Sequence, residues 1–339
     1  MPHTPAVSYE RLTLQLRNPF KLSYGTSETR ETFWLRLAGD QGWGEGTIPP
    51  YYGVDPSAIT DCWQRAVDQE APLPETVEAV PAWVPPGPAP ARCALELALL
   101  DRIGKRRELP LHRLLGLPVP PAMPTAFTIA IDAPDAMAAM ARQIADYPVI
   151  KLKLGGDADD EARVRAVRDA RPDATLCVDA NAGWTVDQAI AHLKWLETCD
   201  IELIEQPLPK EQIAGLGQVQ ARTRIPIVAD ESVQSLADVE HLAAAGVRGI
   251  NLKLMKLGGI TPALAILRRA RELEMKVMLG CMIETSIGIT AMAHLAGAAD
   301  WLDLDAPLLI TNDPFAGLTY DRHARITLPD RPGIGVVQR

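Results

Sequence analysis

TLCVDANAGWTVDQAIAHLKWLETCDIELIEQP, residues 175–207, contains one complete unit of the chain's architecture. TLCVDA (175–180) reads as a strand, VDQAIAHLKWLE (186–197) as a helix, and IELIEQP (201–207) as a second strand. Strands joined through a crossover helix lie parallel in one sheet, whereas a tight hairpin would reverse the chain. Each strand also finishes on an acid, and these two acids, Asp179 and Glu205, are 26 positions apart.

The unit repeats in both directions. TAFTIAI (125–131) and VIKLKL (149–154) precede it, and IPIVADE (225–231), GINLKL (249–254), KVMLGCM (276–282) and WLDLDA (301–306) follow, with helical patterns between them. Eight strands, each followed by a crossover or its remnant, predict an α/β fold of the (β/α)₈ barrel type. The start of the chain has a different texture. VSYERLTLQL (7–16) alternates, FWLRLAGDQGWGEGTI (33–48) predicts two strands joined at a Gly/Asp turn, and helices are expected over 57–69 and 92–107. Proline-rich LGLPVPPAMP (115–124) connects the two regions. GWGEG (42–46) is read as hairpin geometry, not a phosphate cradle, because no helix immediately follows it.

Composition narrows the function. The 339 residues are 47% hydrophobic and 23% charged, enough for a large core, and the net charge of -9 disfavours nucleic acid or an anionic membrane as partner. The first residues, MPHTPAVSYERLTLQL, show no basic-then-apolar signal pattern, and no run of about 18 apolar residues occurs. A soluble, cytoplasmic protein is expected. Five cysteines (Cys62, Cys93, Cys177, Cys199, Cys281) without CxxC spacing suit reduced thiols.

Charged residues at strand ends carry the chemistry. Lys153 to Asp179 is 26 positions, Asp179 to Glu205 26, Glu205 to Asp230 25, and Asp230 to Lys253 23, so five successive units each deliver a charge to one end of the barrel. That end is where barrel enzymes build their sites. Buried charges need partners, and three consecutive carboxylates, Asp179, Glu205 and Asp230, predict a divalent cation. Magnesium fits hard oxygen ligands best; the six histidines are scattered, none at a strand end. Strands two and six lie across an eight-strand ring, so Lys153 and Lys253 would face one substrate from opposite sides. A lysine is an ordinary surface charge or a weak base near pKa 10.4, unless a dication and a second lysine bring it into a useful range. The arrangement suits proton removal alpha to a carboxylate, the metal neutralising the enediolate charge.

WLDLDAPLL (301–309) sets Asp303 and Asp305 two apart in an apolar run, hence on one face of a strand, where two carboxylates demand a cation between them. Alternatively, one of them caps a turn before Pro307 and the other pairs with an internal lysine.

KLKLGG, VDANAGW, IEQPLP, VADES, NLKLMKLGGI and GCMIETSIGI together resemble the enolase superfamily, in its muconate-lactonizing subgroup, over nearly the whole chain. The resemblance implies a modified TIM barrel, (β/α)₇β, covered by an N-terminal α+β capping domain: capping domain 1–118 completed by the tail 317–339, and barrel 119–316. It implies one Mg²⁺ per subunit on Asp179, Glu205 and Asp230, Lys153 and Lys253 as the acid/base pair, and Lys151 and Glu284 as supporting site residues. LDLDAP resembles the aspartate pair with which dipeptide epimerases grip a dipeptide's ammonium group, and Thr128 and Cys281 would then contact the peptide. No histidine partner is evident to make Cys281 a nucleophile. In this family, loops near 20–30 and 50–55 cover the barrel mouth. Here they hold Ser23, Tyr24, Gly25 and Thr26 where L-Ala-D/L-Glu epimerases often place an arginine, and Tyr24, Tyr51 and Tyr52 would favour an apolar or aromatic side chain. The expected function is a Mg-dependent dipeptide epimerase; the alternatives are a cycloisomerase or o-succinylbenzoate synthase, whose anionic substrates leave the aspartate pair unused, and a non-catalytic binding barrel. A small dipeptide is the expected partner, with a homo-oligomer open.

Overall fold

The computed structural model describes residues 7–37, 41–48, 52–69, 71–155 and 157–339. Three antiparallel strands come first: β1 (Val7–Leu22), β2 (Gly25–Leu37) and β3 (Gly42–Thr47). The barrel strands are β4 (Phe127–Ile129), β5 (Val149–Lys153), β6 (Thr175–Asp179), β7 (Ile201–Glu205), β8 (Ile227–Ala229), β9 (Gly249–Leu252), β10 (Lys276–Gly280) and β11 (Trp301–Asp303), all parallel and neighbours in chain order. Crossover helices start where the sequence offers caps. Thr185 accepts from the Gln188 amide while the Gln188 side chain answers the Thr185 amide, and Ser235 and Asp238 repeat the pattern, so both chains turn sharply into their helices.

Ladder register determines what the barrel encloses. Val149, Cys177, Leu203, Val228, Met278 and Trp301 form an apolar plug low in the lumen, separate from the main core. Toward the C-terminal ends of the strands the lining becomes polar: Lys153 pairs in register with Asp179, and Asp179 with Glu205. No ladder joins β4 to β11. That seam is closed by Ala126 N–H to the Leu302 carbonyl (2.9 Å), Leu304 N–H to Thr125 Oγ1 (2.6 Å) and Thr128 N–H to Asp305 Oδ2 (2.7 Å). After β11 the chain makes only a four-residue turn of helix, Ala306–Leu309, so the eighth unit lacks a full crossover and the barrel is of the (β/α)₇β kind.

GWGEG has a packing explanation. The three glycines of β3 lie against the helix Ala89–Arg106 so closely that a Cβ on Gly42 would stand 2.0 Å from the Ala98 carbonyl oxygen and one on Gly44 1.9 Å from that of Ala94. Strand and helix backbones touch there. Between the glycines, Trp43 stacks on Trp34 and against Phe315, just ahead of the tail, while Glu45 points to the barrel. The tail also returns to the N-terminal region through Leu111 N–H to the Gly333 carbonyl (2.8 Å) and Ile334 N–H to Asp101 Oδ1 (2.8 Å).

One expectation needs correction. The segment 20–30 is not a free loop: β1 and β2 run through it as a long hairpin whose tip is Ser23–Tyr24, with a register break between Gln15 and Phe20. Its outward faces are both solvated, so the alternation that marks a half-buried strand is missing from this part of the sequence. The helices expected over 57–69 and 92–107 are Pro56–Asp68 and Ala89–Arg106. No helix among the described residues is long and apolar enough to cross a membrane.

Candidate active site

At the C-terminal ends of the strands, a cleft of ≈ 60 Å³ is lined by Thr128, Lys153, Lys253, Cys281, Asp303 and Asp305 from the barrel and by Phe20, Leu22, Tyr24 and Arg30 from the hairpin. Six sequence-selected barrel residues thus share one cavity, and Tyr24 covers it from the hairpin tip. Tyr51 lies outside the described residues. Lys151, Asp179, Glu205 and Asp230 lie beneath the cleft, each almost fully buried.

The buried layer is an interleaved charge lattice. Lys151 Nζ contacts Glu205 Oε2 (2.6 Å), Asp303 Oδ2 (2.7 Å) and Asp179 Oδ2 (3.1 Å). Lys153 donates to Asp179 Oδ2 at 2.7 Å and Lys253 to Asp230 Oδ2 at 2.6 Å. Lys153 and Lys253 stand on strands four places apart in the eight-strand ring, which sets them across the lumen. Burial alone would raise Asp179, but Lys153, Lys151 and Lys253 outweigh it and hold its carboxyl at about 2. Glu205 goes the other way: burial, followed by repulsion from Asp179, pushes it up to about 7. Lys151 is drawn well above the usual lysine range, because Asp303, Glu205 and Asp179 together overcome its burial.

Backbone geometry at the strand ends aims these groups. Gln206 follows Glu205 with φ 32, and Asn181 lies two beyond Asp179 with φ 43, left-handed conformations that cost non-glycine residues energy and are held by their contacts. The Gln206 amide, fully buried, accepts from Asp230 N–H (2.8 Å) and Ser232 N–H (3.2 Å) and donates to the Leu208 carbonyl (2.7 Å), so EQP of one strand end fixes the ADES of the next. Asn181 N–H donates to Asp179 Oδ1 (2.8 Å), and its carbonyl accepts from Ser23 Oγ at the hairpin tip (2.9 Å).

The aspartate pair fits the structural alternative only in part. Asp303 does pair with an internal lysine, Lys151, yet its Oδ1 is buried without a hydrogen-bond partner. Asp305 does not cap its own turn. Its Oδ2 crosses the seam to Thr128 N–H, and burial, then the charge of Asp303, raise it to about 7. Both carboxylates line the cleft. Burial and the nearby acids push the Cys281 thiol well up, which suits a wall residue and not a nucleophile.

Several residues escaped the sequence reading. Lys256, three beyond Lys253 on a helical turn, donates to Asp230 Oδ1 (2.7 Å), the Asp230 carbonyl and the Asn251 carbonyl (3.0 Å); i, i+3 spacing from Lys253 was its only signal. Asn251 Nδ2 donates to Glu205 Oε1 at 2.8 Å. Arg30 reaches the cleft from β2, seven residues past Ser23. Glu45, wholly buried, accepts from Thr285 N–H (2.8 Å), Thr285 Oγ1 (2.6 Å), Gly288 N–H (3.1 Å) and Thr32 Oγ1 (2.9 Å), tying the capping sheet to the start of the helix Ser286–Ala293. Glu284, which was expected as a supporting site residue, lies in the same buried region, raised by burial and by Glu45, and accepts from Met282 N–H (2.8 Å).

The donor set of Asp179, Glu205 and Asp230 has the chemistry of a magnesium site: three buried carboxylates, no soft ligand, and one acid whose charge is disfavoured until a cation balances it. Among the described residues no three such groups converge into a ready cage, since ammonium groups lie between them.

Residues 135–338 match the family model described as Enolase C-terminal domain-like. An L-Ala-D/L-Glu epimerase of Bacteroides thetaiotaomicron is 36% identical over 96% of this chain and 86% of its own length. Among solved structures, the substrate-liganded L-Ala-D/L-Glu epimerase of Bacillus subtilis superposes with a TM-score of 0.89 at 32% identity, covering 98% of both chains. The dipeptide epimerase of Enterococcus faecalis, complexed with Mg and L-Leu-L-Tyr, does so with a TM-score of 0.92 at 30% identity, over 98% of this chain and 99% of its own. The fold of a capping sheet on an eight-stranded barrel is therefore shared with these relatives, and the chain belongs to the enolase superfamily.

Proposed function

We propose that this chain is a Mg²⁺-dependent dipeptide epimerase, exchanging the proton on the carbon alpha to the substrate carboxylate. One observation carries the reading: two lysines across the lumen and two carboxylates on the β11 side open onto the same cleft. Asp179, Glu205 and Asp230 would hold one Mg²⁺ per subunit, which supplies charge neutralisation at the substrate carboxylate. Lys153 Nζ and Lys253 Nζ exchange the proton from opposite faces, one removing it while the other returns one. Asp303 and Asp305 receive the ammonium group, and Thr128 N–H fixes Asp305 for that contact. Lys151 spans the acid pair and the triad, so it sets the distance between the two ends of the substrate. The hairpin tip, with Tyr24, excludes water from above.

Cycloisomerase or o-succinylbenzoate synthase chemistry would share the barrel and the lysines, but an anionic substrate would meet two carboxylates where it needs cations. A capping unit of 1–118 with 317–339 over a barrel of 119–316, and a cytoplasmic location, go with the same reading.

The test is a crossed exchange. Lys153→Ala and Lys253→Ala are each incubated with each epimer in D₂O, and the α-proton is followed by NMR. Both variants should lose epimerisation, and each should keep exchange with only one epimer, the opposite one in each case. Exchange lost entirely in one variant and kept for both epimers in the other would mean a single base and overturn the proposal.

A further inference from the structure

Beside the cleft lies a second cavity, a mostly apolar chamber of ≈ 140 Å³. An engineered cavity of about 150 Å³ takes a benzene molecule, so this one is large enough for a branched or aromatic side chain. Cleft and chamber share three wall residues, Phe20, Thr128 and Leu309. Beyond them the chamber is walled by Phe127, Ile131, Met137 and Met140, while Arg17, Asn18 and Asp132 stand at its exposed edge.

The chamber is built into the fold. The β1–β2 ladder breaks between Gln15 and Phe20, which lifts residues 16–19 off the sheet and over the cavity. Arg17 Nε donates to the Leu308 carbonyl (2.9 Å) and Ile131 N–H to the Lys21 carbonyl (3.0 Å), so this roof is fastened on both sides. Thr128 is the partition: its amide holds Asp305, its side chain faces the lumen, and its neighbours Phe127 and Ile129 face the helix Pro134–Gln143 as strand alternation requires.

We propose that the chamber seats the side chain of the substrate's N-terminal residue, and that this residue is apolar and larger than alanine. The assignment rests on the dipeptide reading above. An ammonium group between Asp303 and Asp305 places its own α-carbon against Thr128. The peptide carbonyl must run from that carbon toward Lys153 and Lys253, which leaves the side chain directed past Thr128 toward Phe20 and Leu309, the walls that cleft and chamber share. Apolar walls reward each buried methylene by about fourfold, and the charged Arg17 and Asp132 stand at the exposed edge.

A dipeptide panel tests this, with Gly, Ala, Val, Leu, Phe, Asp or Lys first and a full set of second residues, read as α-proton exchange in D₂O. Leucine in first position should exceed alanine in kcat/KM by roughly tenfold or more. Ala136 lines the chamber from an exposed helix position, so Ala136→Phe should fill it without threatening the core, and should cut the leucine-to-alanine ratio at least fivefold, mainly through KM. Exchange that persists with alanine equal to or better than leucine, or a ratio unmoved by Ala136→Phe, overturns the chamber assignment and leaves the epimerase reading standing. Exchange with no dipeptide at all overturns both.

Discussion

Asp305→Asn separates a substrate-binding acid from a structural one, because the two roles predict opposite changes in stability. Burial and Asp303 raise the Asp305 carboxyl from an ordinary 3.8 to about 7 in the fold. An acid raised in this way costs nothing below about pH 4, where it is protonated in both states; the penalty grows as pH rises toward 7 and is full above it. A difference of about three pH units at about 1.4 kcal/mol each sets a ceiling of about 4 kcal/mol. Asparagine removes that penalty, and its carbonyl can still accept from Thr128 N–H. The variant should therefore gain about 1–4 kcal/mol in urea unfolding at pH 8 and nothing at pH 4. Its kcat/KM for dipeptides with a free amino group should fall about a hundredfold or more, since losing one partner of a buried charge pair costs about 3–5 kcal/mol, while N-acetylated analogues lose far less. A variant that is less stable at pH 8, or that loses free and N-blocked substrates equally, would refute the reasoning.

Metal removal and acid stability give two further checks. EDTA should abolish epimerisation and lower the melting temperature, Mg²⁺ should restore both, and Asp230→Asn should lose the Mg²⁺-dependent thermal shift; activity surviving exhaustive chelation would exclude the mechanism. At the joint of cap, barrel and tail, His294 accepts from His112 N–H at Nδ1 (3.2 Å), with Nε2 3.1 Å from the Ile334 carbonyl, and burial lowers its imidazole to about 4. The unfolded chain thus binds the extra proton between about pH 6.5 and 4, and stability is lost as pH falls through that window, by up to about 3 kcal/mol. His294→Gln should flatten this slope relative to the parent protein in urea titrations, and an identical slope in both would count against it.

Strand-end chemistry was legible because a βα unit has nearly constant length: spacings of 26, 26, 25 and 23 place Lys153, Asp179, Glu205, Asp230 and Lys253 at one rim before any coordinates. Asp303 and Asp305 share the cleft as expected, although β11 ends at Asp303 and Asp305 lies beyond it at the start of the helical turn Ala306–Leu309, where strand alternation no longer applies. The rest depends on contacts between distant segments. Only the end of the hairpin, 20–30, was expected as a loop, because neither face is consistently buried there and no alternation marks it. Arg30 reaches the cleft only because β2 doubles back along β1. The interleaving of Lys151 with three acids could not be read from spacing, since it depends on how long side chains fill a lumen. The glycines of GWGEG signalled a turn but not the helix they press against.

Glu45 bears on how such a protein can be taken apart and reassembled. A capping-sheet carboxylate with no path to water supplies acceptors for Thr285 and Gly288, residues that follow the seventh barrel strand by only a few positions. Exchanging the cap for that of a relative would transplant the specificity surface, but it would also replace the group on which the barrel's own helix start depends. Recombination between family members therefore has a natural seam only where the donor cap brings an acid at this position, and a barrel expressed alone would begin one of its helices on unsatisfied amides.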